Sequence, residues 1–254
     1  MEEKIGIIKE KFASCKETDL PAFIEQYRSD ARSGVMALCK RAQAKIDAFE
    51  KEQNRLEQML FYEREYSAYG AICGIDEVGR GPLAGPVVAG AVILPKDCKI
   101  PYLNDSKKLS PKLREQLYDE ILAKAVAYGI AFVSHERIDE VNILNATYEA
   151  MEEAIEKCAV KPDILLNDAV TIPGITIKQV PIVKGDAKSA SIAAASVIAK
   201  VERDRYMVKM DQVYPGYNFA GNKGYGTKDH TDALKKLGPC QIHRRSFIGN
   251  FVAL

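Results

Sequence analysis

The sequence predicts an α/β domain built on a mixed sheet flanked by helices, preceded by a smaller all-helical segment. Three observations point there. The first 68 residues carry helical periodicity and no strand signal. Composition changes at Tyr69-Gly70, after which short apolar runs appear. Those runs come first as a pair and then alternate with helical stretches, the pattern of a mixed sheet with helices on its faces. The expected division is residues 1–68 and residues 69–254.

Each element has its own signal. Asp19 before Leu20-Pro21 reads as an N-cap with proline in the first turn. From Val35 the positions Val35, Leu38, Ala42, Phe49, Leu56 and Met59 run close to a 3.5-residue repeat, with Lys45 and Glu52 in two seam positions. One long helix is expected over about 35–66. In the second part, 71–75 and 86–94 read as two strands joined by a Gly-rich turn. The latter is nearly all apolar, as in a central strand covered on both faces. Ser110-Pro111 opens a helix to about 123. A third strand at 130–133 precedes a helix over 144–159 with Leu144, Tyr148, Met151 and Ile155 on one face. Strands at 163–166 and 175–182 follow. The last long helix, 189–210, holds a run of small residues through 191–196 that permits close packing.

Composition excludes several classes. With 254 residues, 47% hydrophobic and 28% charged, the chain is neither disordered nor membrane-spanning. Its beginning, MEEKIGIIKEKF, lacks the apolar stretch of a secretory signal. Six scattered cysteines form no C-x-x-C pair, which argues against a zinc site and for a reducing cytoplasm. The net charge of +1 hides an asymmetry: −1 over 1–68, −4 over 69–182 and +6 over 183–254. A basic C-terminal third beside an acidic middle suits a polyanion held near a cation-binding carboxylate cluster.

Acids at strand ends carry the chemical signal. Asp76-Glu77 closes the first strand and Asp168 the fourth, while Asp186 follows the fifth. Acids at the edge of a buried strand are costly unless paired, and a hard divalent cation is a natural partner for several. Singly, each reads better as a turn or cap residue, and Asp186 in particular could cap the helix that follows; only as a set do they suggest a metal site. Side chains alternate along a strand, so Asp76 and Glu77 share one site only if the strand bends there. Gly79-Arg80-Gly81 lets backbone approach a ligand and offers a guanidinium, although a plain turn into Pro82 accounts for it too. Asp105-Ser106-Lys107-Lys108 suits phosphates or a solvated turn. Tyr225, among the glycines and lysine of 222–227, is a candidate stacking surface. Residues 241–247, with Arg244 and Arg245, form a basic segment suited to phosphates. His135, His230 and His243 show no metal-ligand spacing and read as structural or exposed.

Taken in order, these blocks resemble the ribonuclease HII family. The matching stretches are GIDEVGRGPLAGP from Gly74, DSKKL from Asp105, LNDA from Leu166, KGD from Lys184, AASVIAKVERD from Ala194, KGYGT from Lys223 with His230, and HRRSF from His243. The resemblance covers about 70–250; residues 1–68 look like the helical extension of some bacterial members and carry none of the catalytic motifs. It implies a ribonuclease H-like fold with a mixed five-stranded sheet. It implies an endonuclease that cuts the RNA strand of RNA–DNA hybrids and nicks on the 5′ side of single ribonucleotides in duplex DNA, leaving 5′-phosphomonoesters, as ribonucleotide excision repair requires. By motif match, Asp76, Glu77, Asp168 and Asp186 form a catalytic metal site for two Mg²⁺ or Mn²⁺ ions. Gly79, Arg80, Gly81 and Tyr225 read the ribose, and Ser106, Lys107, Lys184 and Arg245 are substrate contacts. The expected partners are RNA–DNA hybrid and ribonucleotide-containing duplex, with no membrane, and the chain is expected to act as a monomer. Asn167 departs from the pattern, standing before Asp168 where an apolar residue is common. Two alternatives are the sister ribonuclease HIII, whose N-terminal domain contains a sheet, and a hybrid-binding module without catalysis.

Overall fold

In the computed structural model, which describes residues 3–252, the first elements are three helices, α1 (Ile5–Ser14), α2 (Leu20–Gln26) and α3 (Ser33–Met59). The chain separates into two compact units between Gln58 and Met59. In the first unit, Ile8 and Phe12 of α1, Leu20 and Phe23 of α2, and Val35, Leu38 and Ala42 of α3 form one core. The early part of the predicted apolar seam is thus used inside the unit. The long helix is shorter than the periodicity suggests. It stops at Met59, Leu60 leaves helical geometry (φ −89°, ψ 4°), and a separate turn, α4 (Phe61–Glu65), follows.

The second unit is a five-stranded sheet of order β3-β2-β1-β4-β5, with β1 (Ile72–Val78), β2 (Val87–Ile93), β3 (Ala127–Val133), β4 (Ile164–Asp168) and β5 (Lys178–Ile182). β1, β2 and β3 are antiparallel neighbours; β1, β4 and β5 run parallel. Helices α5 (Pro111–Lys124), α6 (His135–Glu156) and α7 (Ala190–Val213) cover it, and α8 (Phe219–Asn222), α9 (Lys228–Leu237) and α10 (Arg245–Ile248) close the chain. Cys73, Ile75, Ala89 and Leu165 pack under α6 with Ala150, Met151 and Ala154. The opposite face packs against α7. There a Cβ on Gly74 would lie 2.1 Å from the main chain of Ser191, and one on Gly90 2.5 Å from the Ala195 carbonyl oxygen. The small residues of 191–196 therefore let the helix axis descend onto the sheet.

Other elements also differ from their sequence signals; β5, for one, begins at Lys178 and not at 175. β3 begins at Ala127, because alternation, not an unbroken apolar run, marks its first half. α6 begins at His135, with a break at Asn142 (φ 70°, ψ 164°). The Asn142 Oδ1 accepts the N–H groups of Leu144 and Asn145, so it caps the second half, the part whose periodicity was legible. β1 runs through Asp76 and Glu77 to Val78 instead of ending before them.

Candidate active site

The parallel pair β1–β4 sets the geometry. Ile75 is in register with Asn167, so the next residues, Asp76 and Asp168, stand side by side where the two strands part. Alternation puts both on the α7 face, with Gly74 and Leu166. Glu77 leaves on the other face, because β1 stays paired with β2 through Val78 and does not bend. Glu77 nonetheless stays within electrostatic reach of both Asp76 and Asp168. Glu77 meets the Arg80 guanidinium at 3.3 Å. Asp168 Oδ1 accepts the N–H of Gly185 at 2.7 Å, which brings Asp186 beside it. Asp186 does not cap α7; Ser189 does, accepting the N–H of Ile192.

These carboxylates repel. Burial, then Glu77 and Asp168, hold the Asp76 carboxyl well above the usual carboxylate range, against the opposing hydroxyl of Ser196. Burial raises Glu77, with Arg80 opposing, and burial together with Asp105 and Asp168 raises Asp186. Burial works against the Lys107 ammonium, but Asp76, Asp105 and Asp186 outweigh it and raise its pKa. Lys107 therefore sits among the acids. Ser106 is buried, with its hydroxyl 2.9 Å from that of Ser196, so its contact runs toward the support of Asp76. Among the described residues no three His, Cys, Asp or Glu side chains form a ready-made metal cage. Mg²⁺ is ordinarily held by one or two carboxylates plus waters and substrate phosphate. An all-oxygen set whose charge Arg80 and Lys107 compensate only in part fits such an ion.

The flanking loops are held by two arginines. Arg203 and Arg244 are fully buried. Arg203 donates to the carbonyls of Pro86, Lys223 and Ala84 at 2.9, 2.9 and 3.2 Å. Arg244 donates to Gly85, Arg80 and Gly79 at 2.9, 2.9 and 2.5 Å. Five carbonyls of the 79–86 loop and that of Lys223 are thus satisfied by guanidiniums. Arg244, read from sequence as part of a phosphate-binding segment, is spent on this scaffold. Burial and the neighbouring Arg203 push its pKa down to about 9. Gly79 is at φ +94°, and a Cβ there would lie 2.2 Å from Arg203 Nε. Only glycine fits this approach.

Tyr225 is 36% exposed, with the Lys200 ammonium and Arg203 guanidinium 5.8 and 5.7 Å from its ring centroid. Lys184 and Arg245 are exposed. Arg245 and Ser246 give their N–H groups to Asp139 at 2.7 and 2.9 Å. Ala169, Lys184 and Lys223 adopt φ of 60°, 58° and 52°. Ala169 directly follows Asp168, and Lys184 and Lys223 lie two residues before Asp186 and Tyr225; each such conformation costs about 1–3 kcal/mol. Asn167 faces away from the acids, under α6. Its Nδ2 donates to Val170 O and Gln179 Oε1, and Gln179 pairs with the main chain of Ile172. The polar departure organises the β4–β5 connection. Sequence reasoning missed the scaffold role of Arg203 and Arg244; the signal was an arginine inside the otherwise small and apolar face of a helix.

Comparison with known proteins identifies the family and the fold. The Ribonuclease HII family profile matches residues 73–250, and that of the Ribonuclease HII N-terminal domain matches 4–67. A ribonuclease HII of Lachnoclostridium phytofermentans is 60% identical over 90% of both chains. One from Clostridioides difficile is 50% identical over 99% of both. The crystal structure of ribonuclease H2 from Pyrococcus horikoshii superposes with a TM-score of 0.56 at 28% identity, covering 69% of this chain and 92% of that one. The chain belongs to the ribonuclease HII family, endonucleases that act on the RNA strand of RNA–DNA hybrids.

Proposed function

We propose that the chain cuts hybrids by divalent-metal-dependent, in-line attack of water on a phosphodiester, and that it also nicks duplex DNA on the 5′ side of a single ribonucleotide. The bond broken is P–O3′, leaving a 3′-hydroxyl and a 5′-phosphomonoester. The observation that carries the reading is the placement of Asp76 and Asp168 side by side on one sheet face, within one electrostatic cluster with Glu77, Asp186 and Lys107. Asp76, Glu77, Asp168 and Asp186 would hold two Mg²⁺ or Mn²⁺ ions. Bound there, such ions lower the pKa of water and stabilise the attacking and leaving oxygens.

The chain's own residues do the rest. Ser196 and the Glu77 N–H hold Asp76, the latter at 2.8 Å, and Ser106 holds Ser196. Lys107, and at the rim Lys184 and Arg245, meet phosphates. The glycines of 79–81 expose main-chain groups and Arg80 to the 2′-hydroxyl, the only feature that marks one ribose in DNA of any sequence. Tyr225 offers its ring to the neighbouring sugar. Residues 1–68 form an accessory extension and 69–254 the catalytic part in this reading.

A 5′-labelled duplex with one ribonucleotide tests it. With Mg²⁺ or Mn²⁺ the label should end in a 3′-hydroxyl one nucleotide before the ribose, and chelation should stop the reaction. Binding without a nick would favour a non-catalytic hybrid-binding module. Cleavage of long hybrids with no nick at the single ribonucleotide would remove the proposed recognition of one ribose.

A further inference from the structure

Two buried histidines lie outside the acid cluster yet touch its recognition loop. His230 of α9 and His243 are 0% and 1% exposed, with their Nε2 atoms 3.0 Å apart. The protons between them follow from their outer partners. The N–H of Cys240 can only donate, and it reaches His243 Nδ1 at 3.0 Å, so that nitrogen is bare and His243 carries its proton on Nε2. The Tyr225 carbonyl can only accept, and it lies 2.8 Å from His230 Nδ1, so that nitrogen is protonated and His230 Nε2 is bare. One direction results: Cys240 N–H to His243, His243 to His230, His230 to Tyr225.

One end of this relay is Tyr225, and the other half is tied to the 79–81 loop through Arg244, the residue after His243. The Tyr225 carbonyl also accepts the N–H of Thr227 at 2.8 Å, so both its lone pairs are engaged. His243 precedes Arg244, which grips the carbonyls of Gly79, Arg80 and Gly85. The N–H of Gly85 in turn donates to Ile242. Tyr217 and Phe219 wall the imidazoles at centroid distances of 5.0–6.4 Å. Asp229, Arg245, His135, the Cys240 thiol and the Tyr217 phenol are titratable or charged groups around the pair.

We infer that the His230–His243 pair is a positioning device that locks the main chain of Tyr225 to the segment holding the 79–81 loop, fixing the distance between the two groups that meet one ribose. The inference rests on Tyr225 contacting substrate, as proposed above. Both imidazoles must be neutral for it to hold, since a further proton would set N–H against N–H. Burial depresses both, His243 to about 4 with His230 adding to the effect.

Asparagine places its amide near an imidazole Nδ1, glutamine near Nε2. His230→Asn therefore keeps a donor for the Tyr225 carbonyl, and His230→Gln loses it. On a duplex with one ribonucleotide at saturating Mg²⁺, His230→Gln should lower the single-turnover rate about tenfold, the worth of one buried hydrogen bond. His230→Asn should stay within about threefold of wild type. In a Tyr225→Ala background, the same His230→Gln change should have little further effect. An equal loss from His230→Gln in both backgrounds, or a wild-type rate for His230→Gln, would overturn the inference. A wild-type rate for Tyr225→Ala would remove Tyr225 from the site, so that failure of the functional reading is seen separately; a damaging His230→Gln beside it would overturn the relay as well. Nitrogen-15 NMR of histidine-labelled wild-type protein gives a reading that no substitution can spoil. It should show His243 as the Nε2–H tautomer and His230 as the Nδ1–H tautomer, and any other pair would overturn the inference.

Discussion

If the acid cluster is built for a cation, it should be a stability liability without one, and Asp76→Asn measures by how much. Adjacent strands lie about 4.8 Å apart, and Asp76 and Asp168 share a face at one level. Two like charges about 5 Å apart repel by about 3 kcal/mol at an effective dielectric near 20. Burial of Asp76 adds to that cost. The Ser196 hydroxyl and the Glu77 N–H offset part of it, and asparagine retains an acceptor for the N–H. The expected result is a net gain of about 1–3 kcal/mol for Asp76→Asn at pH 8 in EDTA. Urea unfolding of the full chain, followed by circular dichroism, reads this as a midpoint raised by about 0.5–1 M. Mg²⁺ should then stabilise wild type more than the variant, because binding to the folded state adds stability by mass action. A variant equal to or weaker than wild type in EDTA would refute the argument that Asp76 is held against repulsion.

Three further outcomes follow from the same structure. Arg203→Met strips three buried carbonyls of their donors and should destabilise the chain by about 3–5 kcal/mol; a urea-derived loss below about 1 kcal/mol would mean the guanidinium is not the scaffold. A fragment from Met59 should fold and cleave. One from Tyr69 lacks the buried Met59 and Leu60 and the Glu63 carboxylate that accepts from Ser189 and Ser191, and should be at least about 3 kcal/mol less stable; equal melting temperatures would show that 59–68 adds nothing to the catalytic fold. His243 has a folded pKa depressed to about 4, so its neutral form contributes stability above the unfolded value near 6.5 and loses it as pH falls toward 4. This group alone should cost about 2 kcal/mol between pH 7.5 and pH 5, and His243→Gln should remove that part of the acid-side slope. An unchanged slope would place the titration elsewhere.

The order of strands and helices was legible because their apolar patterns are local. So were the acids, which stood out by interrupting apolar runs. What depended on tertiary partners was not. The strand pairing that keeps β1 straight through Glu77 is a property of β2, so sequence alone left open whether Asp76 and Glu77 share a face. The cap of α7 fell to Ser189 because the turn at Gly185 carries Asp186 away from the helix end. Arg244 and Arg245 look alike in sequence, yet the first is buried among carbonyls and the second is exposed. The His230–His243 pair joins residues thirteen apart that share no spacing rule, and only the fold brings them to 3.0 Å.

The central claim is that Asp76 and Asp168 together form the chemical centre on the α7 face. It is tested most directly by single-turnover cleavage of one RNA–DNA hybrid by wild type, Asp76→Asn and Asp168→Asn, with hybrid affinity measured in parallel. The account predicts that each variant cleaves at least about 10³-fold more slowly, while its affinity stays within about threefold, since removal of a group acting on the transition state leaves ground-state binding intact. Cleavage by either variant within tenfold of wild type at saturating Mg²⁺ would contradict it.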